Sequence, residues 1–305
     1  MYNRCALPKG FFIKMTITEA FNQYASNLNI SERQENKVSN CRTNVVREIG
    51  EKLRLHSERS KVIGSWDRNT LIRYLSEGDV DIMIILHYGD NKDWDTPAGT
   101  ISALDTFKKV LDDAYSNTVK RRDVNCITMQ LSEFRLDIVP AFKLDTGRYK
   151  IPDSIKQRWI ETDPFSFAKL ITDVNKTMGN SFVPLIKMVK GWNREVGSPI
   201  KSFHLECILY NRYKTYEKGY SYDSMLKYFF QDLASYLNIP CYDPITGERV
   251  DSYLDNSTTP TKREIAINKA SMAAKKSLEA YNDQEKYPTL AHNAWKELLG
   301  EFFPA

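Results

Sequence analysis

Five cysteines stand in the 305 residues, at positions 5, 41, 126, 207 and 241, odd in number and without a Cys-x-x-Cys pair. That scatter suggests neither a zinc site nor a disulfide framework and fits the reduced side chains of a cytosolic protein. The four histidines, at 56, 87, 204 and 292, show no His-Glu-x-x-His or other ligand spacing. No window approaches the ~20 apolar residues of a membrane span. The opening "MYNRCALPKGFFIKM" has no apolar run of signal-peptide length. A soluble, cytoplasmic protein with no membrane partner is expected. Charge of one sign is scarce too: 43 Lys and Arg against 39 Asp and Glu leave a net +4. Nucleic-acid binding is therefore not expected, because such domains concentrate positive charge more strongly. Repeats, low-complexity tracts and a long linker are also missing.

What is present is an ordinary apolar fraction, 42 %, enough to bury a core in one large domain or two smaller ones. Thr16 to Glu19 and Ser31 to Gln34 both match the Ser/Thr-x-x-Glu/Gln capping box that opens a helix. After Ser31, Val38, Cys41, Val45, Ile49 and Leu53 fall at helical spacing in one long amphipathic segment. Strands are expected around Val62, over Val80–Leu86, over "VNCITMQL" (124–131) and over "FRLDIVPAF" (134–142). A helix carrying Ile101, Leu104, Phe107, Val110 and Leu111 lies between the second and third, and "LDTGRY" (144–149) reads as a turn. From about Asp163 the pattern becomes helical, ending in a long helix expected to start at Pro260 behind Thr259. The expected class is α+β: a core of small mixed sheet and helices over residues 1–160, then a helical C-terminal (lid) domain over 161–305, with a site in the cleft between the lobes.

One stretch, "VIGSWDRNTLIRYLSEGDVDIMIIL" (62–86), poses a chemical question. Asp79 and Asp81 share one face of a strand that otherwise reads as buried. Like charges there repel, and unpaired buried carboxylates cost several kcal/mol, so a divalent cation is the natural compensator. Gly64-Ser65 precedes the pair by thirteen residues, and Asp137 lies in "RLDIVPAF", a second buried-looking strand. Three carboxylates on neighbouring strands suit two Mg²⁺ ions, with Mn²⁺ a possible substitute. Such a pair clamps the attacking and leaving oxygens of a phosphoryl displacement. The glycine lets backbone approach a phosphate, and Ser65 offers an N–H and a hydroxyl.

These residues resemble the Gly-Ser…Asp-h-Asp…h-Asp-h signature, h an apolar residue, of the DNA polymerase β-like nucleotidyltransferases. "LIKMVKGWN" (185–193) and "KSFHLECIL" (201–209) narrow the resemblance to the cGAS/DncV-like nucleotidyltransferases (CD-NTases) of bacterial anti-phage systems (CBASS). "IPCYDPITGERVDSYLD" (239–255) keeps only part of that family's form. The resemblance covers roughly residues 40 to 280. It implies a polymerase β-like fold and synthesis of a cyclic di- or trinucleotide second messenger from ATP, GTP, UTP or CTP with release of pyrophosphate.

It further implies that Asp79, Asp81 and Asp137 bind the metal and that Asp137 faces the attacking ribose hydroxyl. Gly64 and Ser65 would hold the donor triphosphate. Lys187 and Ser202 would meet its outer phosphates, with Lys190 the alternative to Lys187. Asp243 would contact the second nucleotide or form a turn before Pro244. Arg68 and Arg73 would neutralise phosphate or lie exposed. Trp66 would stack on a base or, preferably, pack. His204 reads as a satisfied buried histidine rather than a catalyst, and Glu206 stays unassigned. The family also implies a downstream effector activated by the cyclic product, and for some members a ubiquitin-transfer-like partner acting on the C-terminus. In this chain the tail "LGEFFPA" fits that handling, or simple packing of Phe302 and Phe303. Competing readings are nucleotide addition to RNA ends or to protein, and a catalytically dead sensor. The dead sensor fits poorly with three carboxylates in place.

Overall fold

The computed structural model describes residues 15–75 and 78–304. Cys5, the opening stretch and the final Ala305 lie outside them. Both capping boxes form. Thr16 Oγ1 accepts from the Glu19 N–H at 3.2 Å, and the Glu19 carboxylate accepts from the Thr16 N–H at 2.7 Å. Ser31 and Gln34 repeat the exchange. They open helix α1 (Ile17–Asn27) and helix α2 (Glu32–Lys52). Helix α2 buries Val38, Val45, Val46 and Ile49, as its spacing requires.

Strand β1 (Leu55–Ile63) follows at once and is longer than the short strand expected around Val62. Its register slips between Leu55 and Ser60, and Arg59 takes φ 53°, so no clean alternation marks its first half. After the single turn α3 (Gly64–Asp67) comes β2 (Asp79–Leu86), and after it the short α4 (Tyr88–Asn91). Helix α5 (Gly99–Ala114) leads to β3 (Val119–Arg122), β4 (Ile127–Gln130) and β5 (Arg135–Lys143). The strands line up as β1-β2-β5-β4-β3, and β2 with β5 forms a parallel pair among otherwise antiparallel neighbours. A hairpin of β6 (Tyr149–Asp153) and β7 (Arg158–Thr162) extends from the end of β5.

Strand β2 is buried on both faces, hence its unbroken apolar run. Val80, Ile82, Ile84 and Leu86 join a core with Val45, Ile49, Leu104 and Phe107 of α2 and α5. Met83 and Ile85 join Ala141 and Tyr149 on the other face. By strand parity Asp79 and Asp81 share the second face, and so does Asp137 on β5. The carboxylates thus face away from α2 and α5.

The helical half comprises α6 (Pro164–Thr177), α7 (Phe182–Glu195), α8 (Ser202–Tyr213), α9 (Tyr222–Leu237), α10 (Lys262–Asp283) and α11 (Pro288–Leu299). Its core gathers Ile171, Leu185, Trp192, Leu209, Phe229 and Trp295, together with Phe21 and Tyr24 of α1. Helix α10 starts one residue beyond Thr261, not at Pro260. Thr261 is the true N-cap, with Glu264 completing a capping box. Phe303 is fully buried against Phe21, Tyr24 and His292. Lys296 Nζ, in turn, donates to the Phe303 carbonyl at 3.1 Å. No helix among the described residues is long and apolar enough to cross a membrane.

Candidate active site

Strand β1 ends beside Asp81, with Ile63 as its register partner, and the chain turns at once into Gly64. Gly64 has φ 73°, and a Cβ placed on it would lie 2.2 Å from Asp81 Oδ2. Only glycine brings the backbone this close to the carboxylate without strain. On the other side of β2, Asp81 pairs in register with Asp137, and Asp79 with Arg135. The sequence pattern and the strand order together put three carboxylates on one face of two adjacent strands.

Burial, then the charges of Asp137 and Asp79, raise the Asp81 carboxyl to about 7, with Arg68 opposing. Burial and Asp137 also raise Asp79, against the pull of Arg135. Arg135 Nε lies 2.6 Å from Asp79 Oδ1, and Thr128 Oγ1 donates to Asp137 Oδ1 at 2.6 Å. No three His, Cys, Asp or Glu side chains among the described residues are gathered as they stand to hold one ion. The donor set nonetheless suits a divalent cation in kind. It is all oxygen, carries like charges on one face, and includes a carboxyl whose ionisation burial opposes, as a hard cation would relieve.

Gly64, Ser65, Asp79, Asp81 and Ser202 all line one cleft of about 540 Å³. Its far wall is helical, with Lys190, Asn193 and Arg194 from α7 and Phe203 beside Ser202 at the start of α8. Ser202 is exposed at the N-terminus of a twelve-residue helix, where free N–H groups and the helix dipole favour an anion. Asp137 sits behind this lining, next to Asp81.

The remaining candidates fall elsewhere. Lys187 is buried, with its Nζ 2.8 Å from Asn29 Oδ1 and 3.2 Å from Asn69 Oδ1, and does not line the cleft. Burial and the neighbouring Lys190 lower it to about 8. Lys190, the alternative, does line the cleft, but its amine is paired with Glu206 inside the protein. Asp243 accepts from the Ile245 N–H at 2.8 Å and from the Thr246 hydroxyl at 2.9 Å, so it caps its own turn away from the cleft lining. Trp66 packs on the sheet core. Arg73 donates to the Asn27 carbonyl at 3.3 Å and lies over the Phe302 ring.

Sequence reasoning missed the hub that ties these walls together. Glu206 is fully buried and accepts from Arg68 Nε at 2.5 Å, from Thr70 Oγ1 at 2.8 Å, and from Lys190 Nζ. Burial opposes its ionisation, but Lys190 and Arg68 outweigh it and hold the carboxyl below its ordinary value. Arg68 is thus neither exposed nor free for phosphate alone. It stacks over Phe167 and Phe203 while paired to Glu206. The Thr70 N–H donates to the Ser65 carbonyl at 2.9 Å, so the hub also reaches the Gly-Ser turn. The available signal was a charged residue, Glu206, on the apolar helix α8. His204 is buried nearby, with Nδ1 3.1 Å from the Tyr253 hydroxyl.

The glycine-serine turn, the three carboxylates on one face of a parallel strand pair and the helical opposite wall are the features on which the resemblance to the polymerase β-like nucleotidyltransferases rests. Residues 15–175 match SMODS, the Second Messenger Oligonucleotide or Dinucleotide Synthetase domain. The chain is 30 % identical to a cyclic AMP-AMP-AMP synthase of Acinetobacter sp., over 95 % of this chain and 86 % of that one. Its fold is like that of the cyclic AMP-GMP synthase DncV of Vibrio cholerae in complex with nonhydrolyzable GTP. The TM-score is 0.72 at 13 % identity, covering 93 % of this chain and 96 % of that one. CdnC of E. coli MS115-1 with ATP gives 0.66 at 17 % identity, over 94 % and 99 %. The chain belongs to the SMODS family, the cGAS/DncV-like nucleotidyltransferases.

Proposed function

We propose that this protein joins nucleoside triphosphates, ATP among them, into a cyclic di- or trinucleotide second messenger with release of pyrophosphate. The observation that carries this reading is the fit of Gly64 against Asp81 at the floor of a cleft roofed by α7 and α8. The name of the Acinetobacter relative supports adenosine nucleotides as the first substrates to try.

In this reading Gly64 and Ser65 receive the donor triphosphate, and Ser202 with the N–H groups opening α8 meets its outer phosphates. Arg68 and Lys190 present two positive charges against the single negative charge of Glu206. The three groups together leave one excess positive charge within that wall. Lys187 acts at one remove, holding Asn69 and so the loop that follows Ser65. Asp243 is assigned to its turn rather than to the second nucleotide.

Asp79, Asp81 and Asp137 would hold two Mg²⁺ ions, or Mn²⁺ in their place, which when bound neutralise charge on the attacking and departing oxygens. Asp137 would orient the ribose 2′- or 3′-hydroxyl, whose oxygen bonds to the α-phosphorus, its proton passing to solvent, as the bond to the bridging oxygen breaks and that oxygen leaves with pyrophosphate. The linear product then turns in the same site, and its free hydroxyl attacks its own 5′-triphosphate. Catalysis on this account is positioning and charge stabilisation, without a covalent enzyme intermediate.

The two larger of the three hydrophobic clusters support a division near residue 160, with 1–160 as the catalytic core and 161–305 as the lid, although α1 packs on the lid's core. The product would act on a separate effector in anti-phage signalling. The deciding experiment is mass spectrometry of products from all four nucleoside triphosphates with Mg²⁺, before and after phosphatase and nuclease P1. A phosphatase-resistant cyclic product is expected. Labelling only of added RNA or protein would favour the terminal-transfer alternative.

A further inference from the structure

The three carboxylates are not held alike. Parallel pairing sets Arg135 across from Asp79 and Asp137 across from Asp81. Strand parity puts Arg135 on the same face as Asp137, two residues away. Its Nε reaches Asp79 at 2.6 Å at the solvent edge of the trio, where both side chains are about half exposed, 41 % and 43 %. Asp137, by contrast, is held by the hydroxyl of Thr128, its register partner on β4. A neutral donor takes up one lone pair and leaves the carboxylate charge for a cation. A guanidinium takes up the charge as well.

Resting on the reading above, we propose that Arg135 is a positioning residue that competes with divalent cation for Asp79 and so sets the metal demand of the site before nucleotide binds. Asp79 has a second oxygen, but its charge is already shared with Arg135 through Oδ1, so binding an ion weakens or breaks that bond. The guanidinium it leaves then adds a positive charge beside the incoming one. A triphosphate supplies the negative charge that offsets both costs. Metal binding should accordingly be weak without nucleotide and strong with it, and Arg135 should account for part of the difference.

The test is Mn²⁺ binding to the full chain, followed by electron paramagnetic resonance, first alone and then with a nonhydrolysable ATP analogue. Arg135→Met keeps the aliphatic stem and removes the charge. In the absence of nucleotide it should bind Mn²⁺ about threefold or more tightly than the parent, the scale of one part-exposed ion pair lost to competition. With the analogue present the gap should narrow. Arg135→Gln serves as a second neutral variant should the first fold poorly, and Arg135→Lys should stay near the parent. An unchanged or weakened Mn²⁺ affinity in the neutral variants overturns the proposal. If Asp81→Asn abolishes Mn²⁺ uptake while the Arg135 variants have no effect, the metal reading stands and only the role of Arg135 fails. If the parent takes up no Mn²⁺ even with the analogue, both fail.

Discussion

A methyl group on Gly64 would stand 2.2 Å from Oδ2 of Asp81, well inside contact distance. Gly64→Ala must therefore displace Asp81, besides placing a side chain at φ 73°, which costs roughly 1–2 kcal/mol. The expected result is a fall in kcat/KM of at least about a hundredfold, against a stability loss no larger than that strain. Steady-state kinetics and denaturant melts on the same preparation check it. Near-normal activity would show that the Gly-Ser turn does not shape the site.

Glu206 balances two buried or nearly buried cations, so removing its charge leaves them uncompensated. Glu206→Gln should cost about 3–5 kcal/mol in denaturant unfolding and raise the KM for ATP. Adding Lys190→Met removes one of the two orphaned charges and should recover part of the lost stability, a coupling that a double-mutant cycle measures. Strict additivity of the two changes would mean that the pair does not act as a unit.

Asp251 supplies a pH dependence remote from the cleft. Burial would raise its carboxyl, but Arg249, Arg263 and the Cys241 N–H together hold it well below the ordinary value of 3.8. Because the folded value is depressed, its stabilisation is fully present above about pH 4 and is lost as pH falls through the folded value. Asp251→Asn should therefore be less stable than the parent by about 3–5 kcal/mol near pH 7. The gap should close progressively below pH 4. A gap constant from pH 7 to pH 2 would contradict the assignment.

Thr128 offers a test of orientation within the trio. Thr128→Val keeps the shape and removes the donor to Asp137. It should lower kcat more than it raises the KM for ATP, while Thr128→Ser should restore much of the rate. A loss confined to KM would place the effect in nucleotide binding instead.

Much of this was legible in the chain itself. The run Val80–Leu86 reads as a strand buried on both faces because it is one, and parity then fixes the side of the sheet on which Asp79 and Asp81 lie. The capping boxes at Thr16 and Ser31 mark helix starts because their chemistry is local. At Thr259-Pro260 local reasoning misled, since Thr261 and Glu264 form the better cap just beyond. The first half of strand β1 and the β6–β7 hairpin were hidden by an irregular register and by half-exposed residues that lack alternation. The Glu206 hub was illegible for another reason. It joins Arg68, Thr70 and Lys190 across as many as 138 positions, and only the folded chain brings them together. The same holds for Lys187, whose partners Asn29 and Asn69 come from two distant loops.

On this reading Asp79, Asp81 and Asp137 converge on divalent cations beneath a triphosphate seated on Gly64 and Ser65. Anomalous diffraction from crystals grown with Mn²⁺ and a nonhydrolysable ATP analogue tests it most directly. Manganese peaks bonded to all three carboxylates and to the phosphates are expected, with Asp79 released from Arg135. Peaks elsewhere, or a nucleotide bound with Asp79 still on Arg135 and no metal between the strands, would contradict it.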